Sequence, residues 1–243
     1  MTGTDEWLVP LARSSGALTL VCVPYAGGRP GVFVPLARGL DGVDVLAVQL
    51  PGHGARLREK PLTSVAAIVP GLAAAVAEQV RGPYIVLGHS MGGLVGVELV
   101  RALQEERGPE HFIVSACRAP SELEQGQNWY RLPDDDLVAA LVSLGADPVP
   151  LAIQELRDFA LPVLRADLEV VESFDCGVRP KLRCPVTAIS GTEDPDAMPE
   201  LMLDWEREAG GGFRTKAISG GHFLLEERPA EMLHAVRDVL DGC

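Results

Sequence analysis

The sequence predicts an α/β fold, a mostly parallel central sheet with flanking helices, on three observations. Short β-branched runs alternate with longer helical patterns, the signature of stacked βαβ units. The strand-like runs are nearly unbroken in apolar residues, as strands buried on both faces require. The chain has 243 residues, a length at which one large α/β domain is common and a full core forms without disulfide or metal staples. No internal repeat or low-complexity segment divides it. Residues 1–243 are therefore read as one domain, with a helical insertion at about 120–176 interrupting the βαβ alternation.

Leu18–Val23 is the first core strand, and 45–50, 84–87, 112–116, 186–190 and 214–218 follow. Residues 64–80 read as a helix in which Pro70-Gly71 predicts a kink or break. Residues 94–106 read as a second helix, stopped by Gly108 at the C′ position and Pro109 beyond it. Residues 229–240 open with proline at the first helical position and read as a closing helix. Residues 117–185 break the pattern: 69 residues separate two strands, where a crossover needs about a dozen to twenty. Here Pro133-Asp134-Asp135-Asp136 is expected to cap a helical run over 137–144, and the runs 153–159 and 161–171 follow. The interval reads as a lid or substrate pocket over the edge of the sheet. An ordinary surface subdomain is the alternative.

Composition excludes several functions. The net charge of −13 argues against nucleic acid, whose phosphates call for clustered Lys and Arg. No apolar run approaches the roughly 18 residues of a membrane span, and the acidic start Met1-Thr2-Gly3-Thr4-Asp5-Glu6 lacks the form of a signal peptide. Five scattered cysteines without C-x-x-C spacing read as reduced thiols, so a cytoplasmic location is expected. There is no H-E-x-x-H, no Cys/His pair at ligand spacing, no Walker lysine and no G-x-G-x-x-G after a strand. No metal or cofactor is expected.

Gly88-His89-Ser90-Met91-Gly92 carries the strongest chemical signal. It fits G-x-S-x-G between a strand and a helix, the context in which a sharp turn exposes a serine nucleophile. A packing turn rich in glycine is the alternative. The same turn sets the Met91 amide at a helix N-terminus, where an oxyanion gains from a free N–H. Such a serine needs a base, and the base an orienting acid. Among His53, His89, His111, His222 and His234, His222 follows the last strand and satisfies the chain order Ser, acid, His. His234 reads as solvated, His89 and His111 as structural, and His53 as a residue bordering the site. Asp194 leads for the acid because it follows the 186–190 strand and precedes Pro195, which restricts its backbone; Glu193 and Asp196 remain open on chemistry alone. The second oxyanion donor is expected in Pro24-Tyr25-Ala26-Gly27-Gly28, with Ala26 first and Tyr25 next.

These pieces, with Val48-Gln49-Leu50-Pro51-Gly52, Leu161-Pro162-Val163-Leu164-Arg165-Ala166-Asp167, Trp205 and Gly220-Gly221-His222-Phe223, run nearly end to end. Together the chain resembles the stand-alone type II thioesterases of polyketide synthase and non-ribosomal peptide synthetase systems. The resemblance implies an α/β-hydrolase fold with a flexible helical lid. It also implies Ser90, Asp194 and His222 as a catalytic triad, with the Ala26 and Met91 amides as the oxyanion hole. The implied activity is hydrolysis of acyl thioesters held on the phosphopantetheine arm of an acyl or peptidyl carrier protein, by a monomer. Two loops depart from the family's pattern: Arg29-Pro30-Gly31 stands where a small residue is common, and His53-Gly54 where Arg-Glu is usual. A chain-releasing cyclase, an esterase of small free esters and a non-catalytic binder on the same scaffold are the competing readings. An acidic carrier meeting an acidic enzyme needs a local basic patch, for which Arg29, Arg56, Arg58 and Lys60 are the candidates.

Overall fold

A computed structural model describes residues 7–14, 18–123 and 127–242. Its centre is a seven-stranded sheet of β1 (Leu8–Ala12), β2 (Leu18–Val23), β3 (Val43–Val48), β4 (Tyr84–His89), β5 (His111–Ser115), β6 (Val186–Gly191) and β7 (Phe213–Ile218). The spatial order is β1-β3-β2-β4-β5-β6-β7. Every neighbouring pair is parallel except β1 with β3. β1 is absent from the strands read off the sequence. It carries Pro10, which an edge strand tolerates because one side of its backbone needs no ladder bond.

Side chains alternate between two apolar layers, as the period of two demands. Val21, Val23, Val86 and Val114 face α2 (Val65–Gln79, after the short α1, Val34–Gly39) and α3 (Met91–Arg107), which contribute Ile68, Leu72, Leu94 and Val97. Leu20, Cys22, Ile85, Leu87 and Ile113 face the other way, against Leu36 of α1. Full burial of each such side chain is worth about 1.5–3 kcal/mol. The remaining helices are α4 (Asp134–Ser143), α5 (Pro148–Ala152), α6 (Gln154–Glu172), α7 (Leu224–Glu227) and α8 (Pro229–Leu240). Met232 and Val236 of α8 complete the second layer.

Four local expectations are corrected. The break expected at Pro70 does not occur, for α2 runs on through it; Pro70 and Ala66, whose carbonyl loses its partner, are both exposed, where solvent can take the missing bond. Residues 153–159 and 161–171 form one helix, α6, through an exposed Pro162, for the same reason. Gly108 ends α3 in an extended conformation (φ −67°, ψ 161°), because Pro109 disfavours helical geometry before it. Finally, α4 starts without a side-chain cap; its aspartates place charge in the first turn, and Asp134 and Asp135 pair with Arg165 and Arg157 of α6.

α4 to α6 fill the long interval between β5 and β6. Leu137 and Leu141 of α4 pack on Leu161 and Leu164 of α6, with Ala26 and Trp129 against them. This small cluster therefore rests on the loop after β2. No helix among the described residues is long and apolar enough to cross a membrane.

Candidate active site

Ser90 sits between β4 and α3 at φ 53° and ψ −121°, a conformation that costs an L-residue on the order of 1–3 kcal/mol and persists only when its surroundings impose it. They do so through glycine. A Cβ on Gly88 would lie 2.1 Å from the Gly92 carbonyl oxygen, and one on Gly92 would lie 2.1 Å from that of Val23. The turn is anchored on the neighbouring strand by the Ser90 N–H, which donates to the Ser115 carbonyl at 2.8 Å.

Asp194 and His222 lie on the loops that leave β6 and β7. Gly191 presses these loops together, since a Cβ there would stand 2.3 Å from the Gly221 oxygen. His222 Nδ1 lies 2.9 Å from Asp194 Oδ2, and its Nε2 lies 2.9 Å from Ser90 Oγ. A carboxylate only accepts, so the geometry assigns the ring proton to Nδ1 and leaves Nε2 to accept from the serine hydroxyl. Asp194 is fully buried, and its Oδ1 accepts the Asp196 N–H at 2.9 Å. Burial pushes its carboxyl pKa up, but the bonds and charge of His222 and the backbone amides outweigh this and hold it below the usual range. Of the alternatives, Glu193 is exposed and reaches the Ser219 hydroxyl, whereas Asp196 supplies its amide to Asp194.

The other histidines divide as their environments dictate. His89 is fully buried, and its Nε2–H donates to the His222 carbonyl at 2.9 Å. Burial, then the charge of His222, pushes its pKa down to about 3. His111 bonds Thr187 Oγ1 at 2.8 Å, and burial with the Arg214 charge pushes it down to about 4. The His234 side chain is 79% exposed. His53 is buried and faces Asp167 at 2.8 Å, a pairing that no local sequence signal announces across 114 residues.

Met91 is the first residue of α3, so its amide has no acceptor within the helix. Ala26, Ser90 and His222 line one cavity of about 110 Å³ with Tyr25, Trp129 and Phe223. The Tyr25 hydroxyl donates to Glu226 at 2.6 Å and its ring packs edge-on against Phe223. A second cavity, of about 250 Å³, adjoins the first at Tyr25, Ala26, Leu141 and Phe223 and reaches Arg29 and His53. The basic patch is corrected at Arg56. Its guanidinium is held by both carboxylate oxygens of Glu59, by the Gln49 carbonyl and by the face of Trp7. Arg56 is thus paired and packed, while Arg29, Arg58 and Lys60 are exposed.

A serine on a strained strand-to-helix turn, with an imidazole and a buried carboxylate from later loops of the same parallel sheet, defines a serine hydrolase of the α/β-hydrolase fold. The family model for the thioesterase domain matches residues 18–240, and the chain belongs to that family. Thioesterase PikA5 of Streptomyces venezuelae is 35% identical over 231 residues, covering 93% of this chain and 82% of its own. The structure is similar to that of RedJ, a thioesterase from the prodiginine biosynthetic pathway of Streptomyces coelicolor, with TM-score 0.86 and 36% identity over 93% of this chain and 88% of that one. It is also similar to the type II thioesterase BorB from the borrelidin biosynthetic cluster, with TM-score 0.89 and 33% identity over 98% and 99% of the two chains. The protein is an enzyme, a thioesterase of the serine-hydrolase type.

Proposed function

We propose that this thioesterase hydrolyses acyl groups from the phosphopantetheine arm of acyl or peptidyl carrier proteins, clearing polyketide or non-ribosomal peptide assembly lines, with Ser90, His222 and Asp194 as its triad. The observation that carries the reading is the hydrogen-bonded chain Ser90 Oγ, His222 Nε2, His222 Nδ1, Asp194 Oδ2, with 2.9 Å at each link. His222 takes the Ser90 proton as Oγ attacks the thioester carbonyl. Asp194 holds the ring tautomer and stabilises the imidazolium. The Met91 and Ala26 amides receive the oxyanion. Collapse releases the arm's thiol, which takes the proton from His222, and leaves an ester on Ser90. A water, deprotonated by His222, then attacks that ester and releases the carboxylic acid.

Residues at about 120–176 act as a lid on a single domain. Leu141 and Leu168 from its helices line the cavity with Ser90, so the acyl group is selected between lid and sheet. The enzyme is read as a cytoplasmic monomer that meets the carrier directly. A panel of carrier proteins loaded with different acyl chains, followed by intact mass, tests the function. Release that depends on Ser90 supports it, and absence of release from every loaded carrier with retained turnover of free esters would replace it with an esterase.

A further inference from the structure

Beside the Ala26 loop lies a second buried imidazole–carboxylate pair that the reaction above does not use. Asp167 of α6 is 1% exposed and His53, on the loop after β3, is 5% exposed. His53 Nε2 lies 2.8 Å from Asp167 Oδ2, and Nδ1 lies 3.2 Å from the Pro51 carbonyl oxygen. Both ring nitrogens therefore face oxygens. A carbonyl only accepts and an ionised carboxylate only accepts, so both contacts are satisfied only when the pair holds a proton between Nε2 and Oδ2 as well as one on Nδ1. The same Asp167 Oδ2 also accepts the Gly27 N–H at 2.6 Å. Gly27 follows Ala26 and stands at φ +75°, a turn conformation open to glycine without steric cost. One carboxylate thus joins three segments: α6, the loop after β3 and the loop after β2. A buried ion pair contributes little net stability over an apolar replacement, which turns attention to what it holds in place.

The geometry points to His53 and Asp167 as positioning residues: their shared proton holds the Ala26–Gly27 turn, and with it the Ala26 amide, in the attitude that receives the oxyanion, while pinning α6 above it. This rests on the proposed acylation of Ser90 and on Ala26 as an oxyanion donor. The charged groups around the imidazole are Asp167 from α6 and Arg29 from the loop after β2; Asp147 and Glu226 line the cavity that His53 borders. Burial pushes the His53 pKa down, the bond and charge of Asp167 and the Pro51 carbonyl push it up, and Arg29 opposes them. The balance lies above the ordinary 6.5. The protonated pair is therefore intact below the ordinary value. It is lost as pH rises through the raised one, leaving a neutral ring whose single N–H can serve only one of the two oxygens, so that either the Asp167 or the Pro51 contact is given up and the three-segment tether loosened.

The test follows kcat and KM for a small acyl-N-acetylcysteamine thioester across pH, in the wild type, His53→Gln, His53→Arg and Asp167→Asn, each checked by thermal unfolding. The wild type should lose kcat on the alkaline side. His53→Gln and Asp167→Asn should lower kcat about ten- to a hundredfold, with a smaller change in KM, as a misaligned donor does. His53→Arg keeps its charge at every pH and should recover part of kcat while abolishing the alkaline fall. Imidazole nitrogen NMR of the wild type provides a readout independent of any variant: His53 should be doubly protonated at pH 6, below the ordinary imidazole value, and titrate together with the fall in kcat. A singly protonated, neutral pair at pH 6, or wild-type kcat in both His53→Gln and Asp167→Asn, would overturn the assignment. Labelling by a fluorophosphonate separates the two readings. If Ser90 of the wild type is not labelled, the proposed function fails. If it is labelled equally fast in every folded variant at every pH, only the positioning role fails.

Discussion

Ser90, His222 and Asp194 lie on three different loops, yet their hydrogen bonds make them one unit, and variants should reveal that coupling. Ser90→Ala and His222→Ala are each expected to cost several orders of magnitude in kcat, and the double variant little more than either; additive losses measured under saturating substrate would dissolve the triad. Asp194→Asn should be far more damaging than Asp196→Asn, since only Asp194 reaches the His222 ring. Two other histidines set the response to acid. His89 and His111 are held neutral in the fold, with pKa values pushed down to about 3 and about 4 by burial first. In the unfolded chain they bind protons near the ordinary 6.5. The unfolded state therefore takes up protons that the folded state does not, and stability falls as pH drops through that window. Each such proton contributes a slope of about 1.4 kcal/mol per pH unit. Denaturant unfolding between pH 7 and 4 should show this loss, and His89→Gln should flatten it. An unchanged slope would mean that His89 is already protonated when folded.

Among the elements, the elbow and the helices over the site behave in opposite ways. At the elbow a Cβ on Gly92 meets backbone of β2 that cannot yield. Gly92→Ala should therefore lower Tm and activity together, by about 1–3 kcal/mol or more of stability. Gly31→Ala, with nothing within 4 Å of the added carbon, is the control expected to be neutral. α4 to α6 rest on a small core of four buried leucines, and Ile153, Leu156 and Phe159 are exposed. Few buried contacts mean low local stability. Amide exchange over 134–172 should thus be faster than in β4 and β5, and should slow when a long-chain phosphonate occupies Ser90. Equal protection in both states would make these helices a rigid subdomain.

At the scale of the whole molecule, the charge of −13 repels an acidic partner at long range, and salt screens that repulsion beyond about 8 Å. Arg29, Arg58 and Lys60 are the exposed cations of the candidate patch, Arg56 being bound to Glu59 and Trp7, and Arg58 and Lys60 share the loop after β3. Arg58→Glu with Lys60→Glu should raise KM severalfold for carrier-bound acyl groups and leave a small free thioester unaffected; equal losses on both would assign these residues to the fold. The sequence by itself determined the parts whose cause is local. The core strands are legible because burial on both faces demands apolar runs, the elbow because only glycine fits its turn, and the order Ser90, Asp194, His222 because each residue follows its own strand. Tertiary structure decided the rest, because it depends on which groups meet across the chain. Folding placed buried Asp194 rather than exposed Glu193 against the His222 ring, the edge position of β1 admitted Pro10, and solvent on the outer faces of α2 and α6 let both helices continue through proline. The packing of α6 on the loops after β2 and β3 joined Asp167 to His53 and Gly27, a contact between residues too distant in sequence for any pattern to link.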